Sequence, residues 1–308
     1  MFAALLLKPN HTSISSYKKN DNHKLGSKQI SQSSNDDGST KTFLWWCSLS
    51  LIAVVNIFLW LWTYFKVTSS NNDTFDSNTA DPDYQRMQLI LSGIYVLVCA
   101  YRSVFPRIDL ERYCLFDTPL SSIFLGRLSA TIAEISYSAQ FALFLYKLGE
   151  AHHHPMCQKF AMTLVPLITV AQMFCWCGVL SLNHVYHAIE ESIWALVGGC
   201  ISVHFLLFSI HHSEQEDLKL FGLTGCILST LFFLFMVIVD VPMYIFRWKE
   251  GKHTGREHML MKHGSVDAFT RRVVTWEWNV WKEEVMWLTG YFSSAVWISF
   301  ALVHMPIP

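Results

Sequence analysis

Residues 43–65 read FLWWCSLSLIAVVNIFLWLWTYF, a run dominated by apolar and aromatic side chains and without one charge. A helix needs about 20 such residues to cross a hydrocarbon layer about 30 Å thick, whereas a barrel strand needs about half as many and alternates in polarity. This run is therefore read as a membrane-spanning helix. The same test picks out six further runs: Met87–Phe105, Leu120–Tyr146, Phe160–Leu180, Ile189–Ile210, Leu220–Phe246 and Val285–Val303. The expected fold is all-α, a polytopic bundle of seven transmembrane helices over residues 43–308.

Composition agrees. Of 308 residues, 52% are hydrophobic, 15% aromatic and only 15% charged, where a soluble domain carries nearer one quarter charged. No long basic stripe and no zinc-finger spacing are present, so nucleic acid is not an expected partner; the lipid bilayer is. Residues 1–42 begin with an apolar run, Met1–Leu7, too short for a signal-peptide core, and continue rich in Ser, Asn, Lys and Asp. They are read as a disordered cytosolic tail. The eight cysteines fall mostly inside apolar runs and suggest no disulfide framework. Cys175-x-Cys177 lacks the spacing of a redox pair and is read as core packing.

Lysine and arginine set the expected orientation. They gather in the tail (Lys8 to Lys41), around the second-to-third connection (Arg102, Arg107, Arg112) and in the sixth-to-seventh connection (Arg247 to Lys282). The alternate segments carry few. The N-terminus is accordingly expected in the cytosol and the C-terminus in a lumenal or extracellular space, of an ER-type endomembrane or the plasma membrane. The first outer loop is acidic and holds the sequon Asn72-Asp73-Thr74, a glycan acceptor on that face. Tryptophans before the first and seventh helices, among them Trp45, Trp46, Trp276, Trp278 and Trp281, mark an interfacial belt.

Ionisable side chains inside a membrane are costly and point to function or to a specific partner. On the third helix, Arg127, Thr131, Glu134 and Ser138 recur at four, three and four residues, which places them on one face. Asp240 on the sixth helix lies at a depth close to that of Arg127, so an Arg127–Asp240 pair is expected, or else a pair with a Glu of the fifth helix. Pro242 is expected to kink the sixth helix there. The fourth-to-fifth connection, Asn183-His184-Val-Tyr-His187-Ala-Ile-Glu190-Glu191, is crowded with imidazoles and carboxylates and free of basic residues. Such groups move protons or ligate zinc and iron. His184 and His187 are metal candidates, yet about 10 Å of helical rise separates His184 from Glu191, too far for both on one ion. The structural alternative is that Glu190 and Glu191 are simply acids favoured by the dipole of a helix start. His152–His154, His211 and His212 are read as solvated loop residues, and Arg102, Arg107 and Arg112 as positioned for anionic headgroups.

The leading expectation is an enzyme acting on a lipid or other amphipathic substrate at a polar site in the cytosolic half of the bundle. Its catalytic candidates are His184, His187, Glu190, Glu191 and Asp240, with Arg127, Glu134, Asn183 and Arg102 on the substrate. The alternatives are a transporter or channel using Arg127, Glu134 and His204, and a heptahelical receptor or structural protein. A conduction path would carry polar groups through both halves of the bundle, an enzyme site through one. The absence of a lysine from Val285–Val303 excludes a retinal Schiff base, and a lone His184-x-x-His187 falls short of the multiple histidine boxes of membrane desaturases. Ceramidase-like hydrolases use a histidine pair in the last helix, where this chain has only His304 at its very end. The sequence leaves the cofactor open.

Overall fold

The computed structural model describes residues 28–73, 82–255 and 258–305, with side chains from 38–69, 83–255 and 258–305. Contacts divide the chain into residues 1–37 and 38–308. Of the first unit only 28–37 are described, and they are helical. The second unit contains seven helices long and apolar enough to cross a membrane, one for each run read from the sequence. The chain is a multi-pass membrane protein on this ground.

The helices are α1 (Lys28–Asp73), α2 (Pro82–Val104), α3 (Ile123–Ala151), α4 (Pro155–Ser181), α5 (His184–His211), α6 (Glu216–Phe235) and α7 (Val241–His253). A short α8 (Met261–Thr270) precedes α9 (Trp278–Gly290) and α10 (Val296–His304). The sixth span is α6 and α7 joined by a π turn, Met236–Asp240, and the seventh is α9 and α10 joined by a second one, Tyr291–Ala295. Pro242 follows the first π turn. Having no N–H, it cannot complete the α-helical ladder, and a widened turn absorbs the mismatch. At the second turn, buried Asn56 of α1 donates to the Phe292 carbonyl at 3.1 Å, and its own oxygen accepts from Trp297 Nε1 at 3.2 Å. One amide thereby pins α1 to a backbone group that the π turn releases.

The spans are longer than their apolar runs, because hydropathy marks where the chain turns apolar and capping marks where a helix begins. Helix α1 starts at Lys28, ahead of Phe43, while residues 1–27 lie outside those described. Thr74 of the Asn72 sequon also lies outside them, just past the end of α1. Between α4 and α5 only Leu182 and Asn183 are non-helical. Leu182 takes a left-handed φ of 56°, and Asn183 Oδ1 caps α5 by accepting from the Val185 N–H at 3.1 Å. So tight a turn makes α4 and α5 antiparallel neighbours.

The 105–122 and 254–277 connections are folded together at one end of the bundle. Strands Arg107–Ile108 (β1) and Tyr113–Cys114 (β2) pair antiparallel, and β2 pairs parallel with Val273–Val274 (β3). Arg112 is 1% exposed; it donates to Asp267 Oδ2 at 2.8 Å, to the Asp109 carbonyl at 2.7 Å and to the Val179 carbonyl at 3.0 Å. Arg107 is likewise buried and donates to the Ser122 carbonyl at 2.8 Å, and burial pulls its guanidinium below the usual arginine range. The headgroup role read for these two arginines is thus corrected. Their donors are directed inward, to backbone carbonyls and to the Asp267 carboxylate. Arg102 differs, being only partly buried, with its guanidinium 5.5 Å from the centre of the Phe292 ring.

Candidate functional site

Four spans contribute to one buried polar network. Arg127 of α3 donates through Nη2 to Glu134 Oε1 and to Gln172 Oε1 of α4, both at 2.7 Å. Gln172 accepts from Thr131 as well, at 3.2 Å, and its amide nitrogen donates to Glu134 Oε2 at 2.5 Å and to Glu190 Oε1 of α5 at 3.5 Å. Glu190 Oε2 in turn lies 2.9 Å from His187 Nδ1. Cys175 Sγ, fully buried on α4, sits 3.7 Å from that same nitrogen. The chain Arg127–Glu134–Gln172–Glu190–His187–Cys175 is therefore contiguous across α3, α4 and α5.

The Arg127–Asp240 pair is not formed. Glu134, seven residues on along the same helix, takes the guanidinium instead, because an extended arginine reaches across two helical turns when both side chains face a shared interior. Asp240, buried at the π turn, lies within electrostatic reach of Glu190 and His187 from α5 and of Arg247. Glu191 is half-buried, within electrostatic reach of Glu190, Asp240 and Glu134. Neither Glu191 nor Asp240 makes a hydrogen bond or ion pair among the described residues. Four carboxyl groups thus share this interior, and among the described residues only Glu134 of the four is ion-paired to a guanidinium, that of Arg127.

The His184–Glu191 segment is not a connection but the first two turns of α5. Glu190 and Glu191 consequently lie beyond the first turn, where the favourable dipole effect has decayed, so a helix-start preference does not account for them. His184, His187 and Glu190 are each 5% exposed or less. The His187 ring stacks on Tyr244 of α7 with centroids 5.2 Å apart, and Tyr244 also meets His184 at 6.2 Å. Asn183 serves as the cap of α5.

Three members of the network were not singled out as site residues from the sequence. Gln172 lies about 14 Å from the end of α4 at Ser181, level with Glu134. Cys175 was assigned to core packing, and Tyr244 drew no notice. The legible signal was Gln172-x-x-Cys175, an i, i+3 pair that puts the amide and the thiol on one face of α4.

The opposite half of the bundle holds neutral groups. Gln88 and Gln140 donate to each other's backbone carbonyls at 2.9 and 3.2 Å, and Ser299 donates to Gln140 Oε1 at 2.6 Å. His204 stands about 21 Å along α5 from Glu190 and stacks on Phe160 at 4.8 Å, so the structure does not bring it to Arg127 and Glu134. It borders an apolar cavity of about 330 Å³ beside His154 and His211. The solvated reading of that histidine group holds for His153 and His211, which are exposed, and not for His152, His154 and His212, which are half-buried. His152 packs edge to face on His212 at 4.4 Å and His154 on His211 at 4.7 Å. Burial, reinforced by the neighbouring imidazoles, pushes His152 and His154 below the usual histidine range.

No family model, curated protein or solved structure matches this chain.

Proposed function

We propose that the chain is a membrane-embedded enzyme acting on a lipid or other amphipathic substrate, with its chemistry at the buried α3–α4–α5–α7 network. One observation carries this reading: the ionisable groups of the network, from Arg127 to Asp240, converge in one half of the bundle, and the other half is crossed by neutral amide and hydroxyl pairs. A conduction path would have to continue through that half, where Gln88 and Gln140 are clamped to each other's backbone. In the enzyme reading, Arg127 is a fixed positive charge, held in place by Glu134 and Gln172. Glu191 and Asp240, the carboxyls outside any ion pair, exchange protons with the substrate. His184 and His187 fix the wall they share with Tyr244.

The test compares lipid extracts, by mass spectrometry, from cells making wild type or the Glu191→Gln/Asp240→Asn variant. These neutral isosteres leave the Arg127–Glu134–Gln172 framework intact, so equal amounts of folded protein are expected. At least one lipid species should depend on wild type and revert to the empty-vector level in the variant. Identical profiles, together with Arg127-dependent proton or ion flux in liposomes, would replace this reading with transport.

We infer from the basic residues of the 105–122 and 254–277 connections that this bundle end faces the cytosol. Protease added to cytosol-side-out vesicles should remove a tag ahead of Lys41 and spare one after Pro308. Loss of both tags would mean that the two ends share a side.

A further inference from the structure

We infer that Cys175, His187 and Glu190 form a binding site for a zinc-class divalent ion. Their ligand atoms all lie within 4.8 Å of one another and all three side chains are buried. Tetrahedral coordination, with metal–sulfur near 2.3 Å and metal–nitrogen near 2.0 Å, sets sulfur and nitrogen about 3.5 Å apart. The Cys175 Sγ to His187 Nδ1 distance is 3.7 Å. Nitrogen and carboxylate oxygen on such an ion stand about 3.3 Å apart, against 2.9 Å between His187 Nδ1 and Glu190 Oε2. The sulfur and the carboxylate oxygen lie within 4.8 Å of each other, and drawing them to about 3.5 Å, a side-chain adjustment on the order of 1 Å, converts the cluster into a chelate.

The surroundings favour the same conclusion. His187 and Glu190 are an i, i+3 pair on α5, and Cys175 faces them from α4, so two antiparallel helices joined by a two-residue turn hold the ligands in register. The His187 ring is immobilised on one face by Tyr244, and its edge lies so close to Gly178 that a β-carbon there would stand 2.8 Å from Nε2. Gln172 Nε2 reaches the other Glu190 oxygen at 3.5 Å, a supporting contact of the kind that orients a metal-bound carboxylate. Charge points the same way. Arg127 is matched by Glu134, so a thiolate at Cys175 and the Glu190 carboxylate balance one divalent cation, with His187 neutral. On binding, the thiol proton and any proton held between His187 and Glu190 leave to solvent. A thiolate–imidazole–carboxylate set selects zinc over magnesium or calcium, which prefer all-oxygen ligands. Three protein ligands leave a fourth position open, as at catalytic zinc centres.

This inference does not depend on the enzymatic reading, and its test reads metal, not turnover. The full-length protein, purified in detergent without a histidine tag, is analysed for bound metal as isolated and after dialysis against zinc. About one zinc per chain is expected for wild type, and less than a tenth of that for Cys175→Ser and for Glu190→Gln. Cobalt substitution should give a near-ultraviolet thiolate-to-cobalt charge-transfer band that Cys175→Ser abolishes. Ser is nearly isosteric with Cys, so a monodisperse Cys175→Ser protein keeps the comparison valid; if it aggregates, the cobalt band of wild type decides alone. Wild type without stoichiometric zinc after dialysis and without the cobalt band, or zinc retained equally by both variants, overturns the site.

Discussion

Arg127→Leu is expected to destabilise the protein by roughly 3–5 kcal/mol, the cost of leaving one member of a buried ion pair uncompensated. The side chains of Arg127 and Glu134 are 8% and 13% exposed, so water cannot take over the solvation of Glu134 when the guanidinium is gone. Gln172 offers only one N–H toward each of two carboxylates and cannot replace a full charge. Arg127→Leu/Glu134→Leu should regain most of the loss, since an apolar pair of similar volume is often neutral or stabilising. Arg127→Leu/Asp240→Leu should show no such recovery. Unfolding followed in mixed micelles across these variants measures the coupling directly. Additive losses for Arg127 and Glu134, or recovery through Asp240, would refute the observed pairing.

Gly264→Ala is the second large effect, expected at about 3 kcal/mol, the upper end of the usual overpacking penalty. Gly264 lies in α8, pressed against the Leu180 carbonyl at the end of α4, and an added methyl would overlap that oxygen. The obstacle is backbone, so no side-chain rotation relieves it. Relief requires α8 to move away, which would strain the Arg112–Asp267 pair and the hydrogen bond from Met259 N–H to the Ser181 carbonyl at 3.0 Å. Hydrogen exchange over Met261–Thr270 should therefore accelerate in Gly264→Ala. Lys262→Ala, an exposed change on the same helix, should remain within about 0.5 kcal/mol of wild type. Equal exchange in the two variants would show that α8 does not depend on this contact.

Both predictions concern features with unequal visibility in the sequence. Arg127 and Glu134 stand out as charges in an apolar run, and their shared face follows from helical periodicity. Their partnership with each other does not, because it depends on side-chain reach and on Gln172 arriving from α4. Gly264 is one of 14 glycines with no local mark; only the docking of α8 on α4 gives it a role. Arg107 and Arg112 carry the strongest local signal for a membrane surface, and the fold gives them the opposite use, as buried donors to loop carbonyls.

The seven spans were determined by the sequence alone, since the cost of an unpaired backbone group in lipid leaves a long apolar run no alternative to a helix. The π turn ahead of Pro242 fits the missing N–H in the same direct way. What only the tertiary structure decided is which polar groups meet. It placed His184 to Glu191 inside α5 and brought Cys175 and Gln172 from α4 against them. Periodicity fixes the face a residue occupies on its own helix; which neighbour that face meets, and at what rotation, is set by packing among all seven.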